Sequence, residues 1–189
     1  AEACTTEKLV FVGPPASAIR QMGNKSNAKA LMEAANVPCV PGYRSADQNQ
    51  AQFADAANSI GYPVLIKAAA GGGGRGMRFV DDASDFAAAF ASAKSEALSA
   101  FGDDEVLLEK AIVEPRHIEI QIIADSHGNI RHLGERDCSV QRRYQKIIEE
   151  APSPAVSADL RERMGAAAIN AARTVDYVGA GTVEFLLNP

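Results

Sequence analysis

Pro63-Val64-Leu65-Ile66-Lys67, followed by Gly71-Gly72-Gly73-Gly74-Arg75-Gly76-Met77, is the stretch on which the fold turns. An apolar run ending in a lysine reads as a strand, the glycines as a loop, and Met77-Arg78-Phe79-Val80 as a second strand. The outcome is a β-hairpin flap. Consecutive glycines let backbone N–H groups approach anionic oxygens with no Cβ in the way. Lys67 adds a point charge suited to phosphate. Gly71, Gly73 and Gly76 also satisfy G-x-G-x-x-G, but the dinucleotide-binding form of that pattern needs a helix directly after the loop. Here β-leaning residues and Asp81-Asp82 intervene, so a flap over ATP is the better reading. A flexible linker is the bland alternative. Polar, Ser-rich flanks would mark one, and these flanks are apolar.

Outward from the flap, Leu9-Val10-Phe11-Val12 reads as a short buried strand ending at Gly13-Pro14-Pro15, with a helix over about 16–22. Asn24 is placed to cap a helix running to Ala35. Val37-Pro38-Cys39-Val40-Pro41-Gly42 reads as an extended boundary. Helices are expected over 46–59 and 83–100, the first stopped by Gly61-Tyr62-Pro63 and the second near Gly102. Strands are expected over 105–110, 116–124 and 130–140, the last two joined by a turn at Asp125-Ser126-His127-Gly128-Asn129. A helix over 159–175 and a strand over 181–187 complete the chain.

Composition narrows the function classes. The 189 residues are 47% hydrophobic and 23% charged, ordinary for a globular protein. A net charge of −5 disfavours broad nucleic-acid binding, and no apolar run approaches membrane-span length. No signal peptide is evident, and the first residue is Ala1. Cys4, Cys39 and Cys138 are odd in number and widely spaced, which suggests a reducing compartment rather than a disulfide frame or a zinc site. Cys138 is read as a packing residue, and His127 and His132, near the turn, as exposed.

Three polar features carry chemistry. His117, Glu119 and Gln121 alternate with Ile118, Ile120 and Ile122, so one face of that strand is polar. The block from Glu135 to Lys146 is dense in charge. It reads as a solvated loop, as an anion-binding loop in which Arg and Lys hold phosphate or carboxylate, or as a nucleic-acid patch, which Glu149-Glu150 argues against. Glu184 stands inside an apolar strand, where a carboxylate is costly unless paired or bound to metal. Mg²⁺ held by carboxylate and phosphate oxygens is the usual solution.

Motifs in order then point to a family: Phe11-Val12-Gly13-Pro14, Met22-Gly23-Asn24-Lys25, the flap, Pro115-Arg116-His117-Ile118-Glu119-Ile120-Gln121, Glu135-Arg136-Asp137-Cys138-Ser139, Gln141-Arg142-Arg143, Glu149-Glu150-Ala151-Pro152 and Gly179-Ala180-Gly181-Thr182-Val183-Glu184-Phe185. Together they resemble biotin carboxylase, the ATP-grasp component of biotin-dependent carboxylases, over essentially the whole chain. The resemblance implies an α+β (α/β) ATP-grasp fold, truncated at both ends. Residues 1–40 would be the end of the N-terminal region and a linker helix. Residues 41–112 would be the small lobe with its flap, and 113–189 the first part of the large lobe. It implies MgATP-dependent activation of bicarbonate to carboxyphosphate, followed by carboxylation of biotin.

Site roles follow from the same resemblance. Lys25 and Lys67 would hold ATP phosphates, with Gly73 and Gly74 in the flap. Glu109, Lys110, Ala111 and Ile112 would receive adenine, His117 and Gln141 would lie at the nucleotide, Lys146 would bind bicarbonate as the catalytic residue, and Glu184 would ligate Mg²⁺ or Mn²⁺. Tyr144 stands where many relatives have His; it can stack and donate a hydrogen bond but carries no positive charge near pH 7. Implied partners are ATP, bicarbonate, a biotin carrier protein or domain and a carboxyltransferase, with no nucleic acid and no membrane. A homo-oligomeric parent in a bacterial cytoplasm or mitochondrial matrix, not secreted, is expected. The family continues past Asn188-Pro189 with further Mg²⁺ and bicarbonate residues, so a fragment with little or no carboxylation activity is expected. The alternatives are a carbamoyl-phosphate-synthetase-type ATP-grasp ligase piece and a non-catalytic nucleotide-binding module.

Overall fold

The computed structural model describes residues 1–71, 74–142 and 145–188. Gly73 and Tyr144, both expected at the nucleotide, lie outside the described residues. The chain divides into two compact units: one of residues 1–22, 30–38 and 114–189, the other of residues 23–29 and 39–113.

The unit containing the flap is a four-stranded antiparallel sheet backed by helices. Its strands are β1 (Gly42–Tyr43), β2 (Val64–Ala68), β3 (Met77–Val80) and β4 (Val106–Lys110), in the order β1-β4-β2-β3. β2 pairs with β3 through Val64↔Val80 to Lys67↔Met77, which is the expected hairpin. Val64 and Ile66 point into a core shared with Phe53, Phe86, Phe90 and Leu108. α1 (Glu2–Thr6) and α2 (Ala16–Met22) precede α3 (Lys25–Ala34), whose first residues belong to this unit. Asn24 caps α3 by accepting the Asn27 N–H at 3.0 Å.

α4 (Gln50–Ile60) starts four residues later than its sequence suggests. Asn49 is the reason: its side chain accepts the N–H groups of Ala51 and Gln52 and fixes the start. Residues 83–85 form a separate 3-10 turn before α5 (Phe86–Phe101), which ends at Gly102 in the left-handed region, φ 74°.

The second unit packs α6 (Ala158–Thr174) on an antiparallel sheet of order β7-β6-β5-β8. β5 (Arg116–Ala124) is central, β6 (Ile130–Arg142) and β8 (Gly179–Leu187) flank it, and β7 (Gln145–Glu150) lies beyond β6. Ile118, Ile120 and Ile122 face α6 and pack with Met164, Ala168 and Ala172.

Three expectations fail. The block from Glu135 to Lys146 is not a loop: the strand expected over 130–140 holds and runs on to Arg142 as β6, and Gln145 and Lys146 begin β7. Leu9–Val12 is neither strand nor buried; Val10 and Val12 are more than 90% exposed. An apolar run becomes a buried strand only where another strand lies beside it, and none does among the described residues. His132 is not exposed, because its ring packs against Gly165 of α6, where a Cβ would come within 2.6 Å of it.

Candidate functional site

Each unit gathers its own set of charged groups. In the flap unit the base of the hairpin is built around glycine. Gly71 has φ 75°, and a Cβ there would meet the Phe101 ring at 2.1 Å. Gly76 has φ 67°, and a Cβ would meet that of Ala68 at 2.8 Å. Neither position accepts another residue without movement. The Lys25 ammonium sits at this base, donating to the carbonyls of Ala68 at 3.2 Å and Gly71 at 2.5 Å. Burial, and then the neighbouring Lys67, push its pKa below the ordinary lysine value.

Lys67 reaches Glu109 at 2.5 Å, and the other Glu109 oxygen accepts from Lys29 at 3.0 Å. Burial alone would raise the Glu109 carboxyl, but Lys67 and Lys29 outweigh it and hold it below the usual range. Glu109 is therefore the shared partner of Lys67 and Lys29. The neighbouring residues expected to receive adenine are anchored to the chain. The Lys110 N–H donates to the Pro41 carbonyl and the Ala111 N–H to that of Pro63, while the Lys110 ammonium caps the carbonyls of Gly61 and Tyr62. Ile112 follows β4 and is half-buried. Lys29 was not singled out from sequence. Its signal was there: four residues after Lys25 on one helix, it shares that residue's face.

In the other unit, the polar face of β5 meets β6, β7 and β8. Register places Glu119 opposite Arg136 on one side and opposite Glu184 on the other. Two carboxylates directly opposite repel, and Lys146 resolves this by pairing with both: with Glu119 in a very short contact and with Glu184 at 2.7 Å. Arg136 grips Glu119 from the far side, its Nε donating at 2.6 Å, and donates to Gln121 at 3.0 Å. Glu119 is only 4% exposed. Burial would raise its pKa, yet Lys146 and Arg136 lower it on balance. Burial likewise opposes the Lys146 charge, but Glu119 and Glu184 override it and drive the ammonium well above its ordinary pKa.

His117 completes this face. Gln141 contacts its Nδ1 at 2.5 Å and donates to the Cys138 carbonyl at 2.8 Å, while Nε2 lies 3.3 Å from Glu184. Glu184 is not the buried carboxylate expected from its apolar strand. It is 52% exposed, and although burial works to raise its pKa, Lys146 and His117 lower it.

Alternation in β6 separates two jobs. Arg136 serves the site face, and Cys138 packs beneath it. Glu135 and Asp137 serve the scaffold: Glu135 takes a two-pronged bond from Arg161 of α6, both at 2.6 Å, and buried Asp137 accepts from Ser139, Ser153 and Arg116. Glu119, Cys138 and Glu149 also offer ligand atoms within 4.8 Å of one another. This set does not suit Mg²⁺, which takes oxygen donors, and burial, then Glu119, push the Cys138 thiol up to about 11. Cys138 is fully buried, in keeping with a packing role.

Residues 24–189 match the family described as carbamoyl-phosphate synthase L chain, ATP binding domain. The chain is 55% identical to a biotin carboxylase of Nostoc over 188 residues, covering 100% of this chain and 42% of that protein. It is 56% identical to the mitochondrial methylcrotonoyl-CoA carboxylase subunit alpha of Dictyostelium discoideum, covering 100% of this chain and 27% of that one. Among solved structures it superposes on the biotin carboxylase–beta-gamma-ATP complex of Campylobacter jejuni with a TM-score of 0.94 at 49% identity, covering 99% of this chain and 42% of that chain. The biotin carboxylase domain dimer of Hydrogenobacter thermophilus 2-oxoglutarate carboxylase, solved with MgADP, ADP and bicarbonate, gives 0.93 at 43% identity, covering 100% and 42%. The chain thus spans less than half the length of these relatives.

Proposed function

This chain belongs to the carbamoyl-phosphate synthase L chain ATP-binding family, in its biotin carboxylase form, and we propose that it is the part of a biotin-dependent carboxylase that binds MgATP and activates bicarbonate. The observation that carries this reading is the junction at Lys146. One ammonium, its charge locked on by two carboxylates, lies on a strand face with a half-exposed Glu184 and an imidazole. That combination offers a cation for a small oxyanion and a hard-oxygen ligand for a divalent ion.

In this reading Lys25, Lys67 and the flap, with Gly73 and Gly74, take phosphate oxygens. The segment Glu109–Ile112 takes adenine, and His117, Gln141 and Tyr144 lie at the nucleotide. Lys146 orients bicarbonate. Glu184 fits Mg²⁺ or Mn²⁺: its two oxygens are partnered only by Lys146 and His117 among the described residues, and such ions are commonly held by one or two carboxylates plus phosphate. The ion would neutralise phosphate charge. The chain's own residues position and neutralise reactants, which is most of what phosphoryl transfer requires. A bicarbonate oxygen attacks the γ-phosphorus and the ADP oxygen leaves, giving carboxyphosphate, the carboxyl donor for biotin. A biotin carrier, a carboxyltransferase and a homo-oligomeric parent follow, as does a mitochondrial or bacterial setting like that of the relatives. No helix among the described residues is long and apolar enough to cross a membrane.

A second, narrower reading is nucleotide binding without turnover, which needs only Lys25, Lys67 and the hairpin base. MgATP titration followed by an ATPase assay with and without bicarbonate separates the two. Saturable binding lost in Lys67→Ala is expected on either; bicarbonate-stimulated hydrolysis supports the full reading, and its absence the narrower one. No binding by the unaltered chain overturns both.

A further inference from the structure

Lys29 is a lysine with only 9% of its side chain exposed, and its ammonium has a carboxylate beside it, Glu109. Space for it is made by Gly42 of β1, where a Cβ would come within 2.8 Å of the ammonium nitrogen. Burying a lysine this far is costly unless the pairing repays it. Its partner does not hold one cation but two, since the second Glu109 oxygen is on Lys67. Lys67 is the lysine that the proposed function sends to phosphate, so the Lys67–Glu109 bond has to break when nucleotide arrives. Without Lys29, Glu109 would then be a mostly buried anion with no cation bonded to it, and it would pull Lys67 back.

We propose that Lys29 is a positioning residue: it keeps Glu109 paired, and so lets Lys67 transfer from that carboxylate to a nucleotide phosphate. The inference rests on the proposed role of Lys67. The charges facing Glu109 are Lys29 from α3 and Lys67 from β2, with Lys25 coupled to both at longer range; the Lys110 ammonium is turned to the carbonyls of Gly61 and Tyr62. With Lys29 present, Glu109 keeps a cation in both states and stays ionised. Without it, release of Lys67 leaves burial opposed only by the more distant Lys25, and Glu109 takes up a proton when nucleotide binds.

Calorimetric titration with MgATP, in two buffers of different ionisation enthalpy near pH 6, reads affinity and proton uptake together. Lys29→Met is expected to weaken binding by about tenfold or more, and to add proton uptake that the unaltered chain does not show. Lys29→Arg restores both. In a Glu109→Gln background, removing Lys29 changes neither affinity nor proton count, a comparison that remains available if Lys29→Met alone does not fold. Unchanged affinity and proton count in Lys29→Met, or an equal loss of affinity in the Glu109→Gln background, would overturn the proposal and leave the nucleotide reading standing. Failure of the unaltered chain to bind MgATP would overturn the nucleotide reading itself.

Discussion

Glu119 is the residue where charge and burial are most directly opposed. Its folded pKa lies below the 4.5 of a free glutamate because Lys146 and Arg136 outweigh burial. The stability it contributes is therefore complete above about pH 4.5 and is lost as pH falls through the folded value. Glu119→Gln should destabilise the chain at pH 7 by about 1–3 kcal/mol, and the gap from the unaltered chain should narrow as pH falls below the ordinary glutamate value. Denaturant midpoints at falling pH check it; a gap independent of pH would mean the carboxylate is not ionised in the fold. At this scale the polar face of β5 was legible, because strict alternation with three isoleucines fixes which side chains share a side. The partners were not. Arg136 and Lys146 sit in strands adjacent to β5 or one removed, and pairing register is not written in either segment alone.

Among the elements, the hairpin of β2 and β3 was readable from its glycines, α3 from its cap at Asn24 and α5 from its stop at Gly102, whereas the Asn49 cap of α4 and the short α1 were not read. β7 was missed because Gln145-Lys146-Ile147-Ile148-Glu149-Glu150 is an edge strand: five of its six residues are exposed, so no buried face imposes an alternating pattern. The Leu9–Val12 run erred the other way, with strand-like composition and no strand beside it. Two substitutions test the element-level account. Gly71→Ala should cost about 1–3 kcal/mol, since the backbone is left-handed and the Phe101 ring fills the space; thermal unfolding checks it, and no loss would mean that the flap base is not held as described. Ile120→Ala, in the middle of β5, should cost about 2–5 kcal/mol through the cavity it leaves; a loss near zero would contradict the packing of β5 on α6.

For the whole molecule, the sequence implied an α+β ATP-grasp fold, and the two sheets, each with its own core, agree with it. Composition could exclude function classes, through the net charge and the lack of long apolar runs, but could not build a site. The site required motifs in order, and on the proposed function two lysines and a glycine hairpin hold a triphosphate. Amide NMR of the chain with increasing MgATP tests that claim most directly. The account predicts saturable shifts at Lys67 and at Gly74 to Gly76, abolished in Lys67→Ala. Saturable binding that leaves those amides unmoved would contradict it.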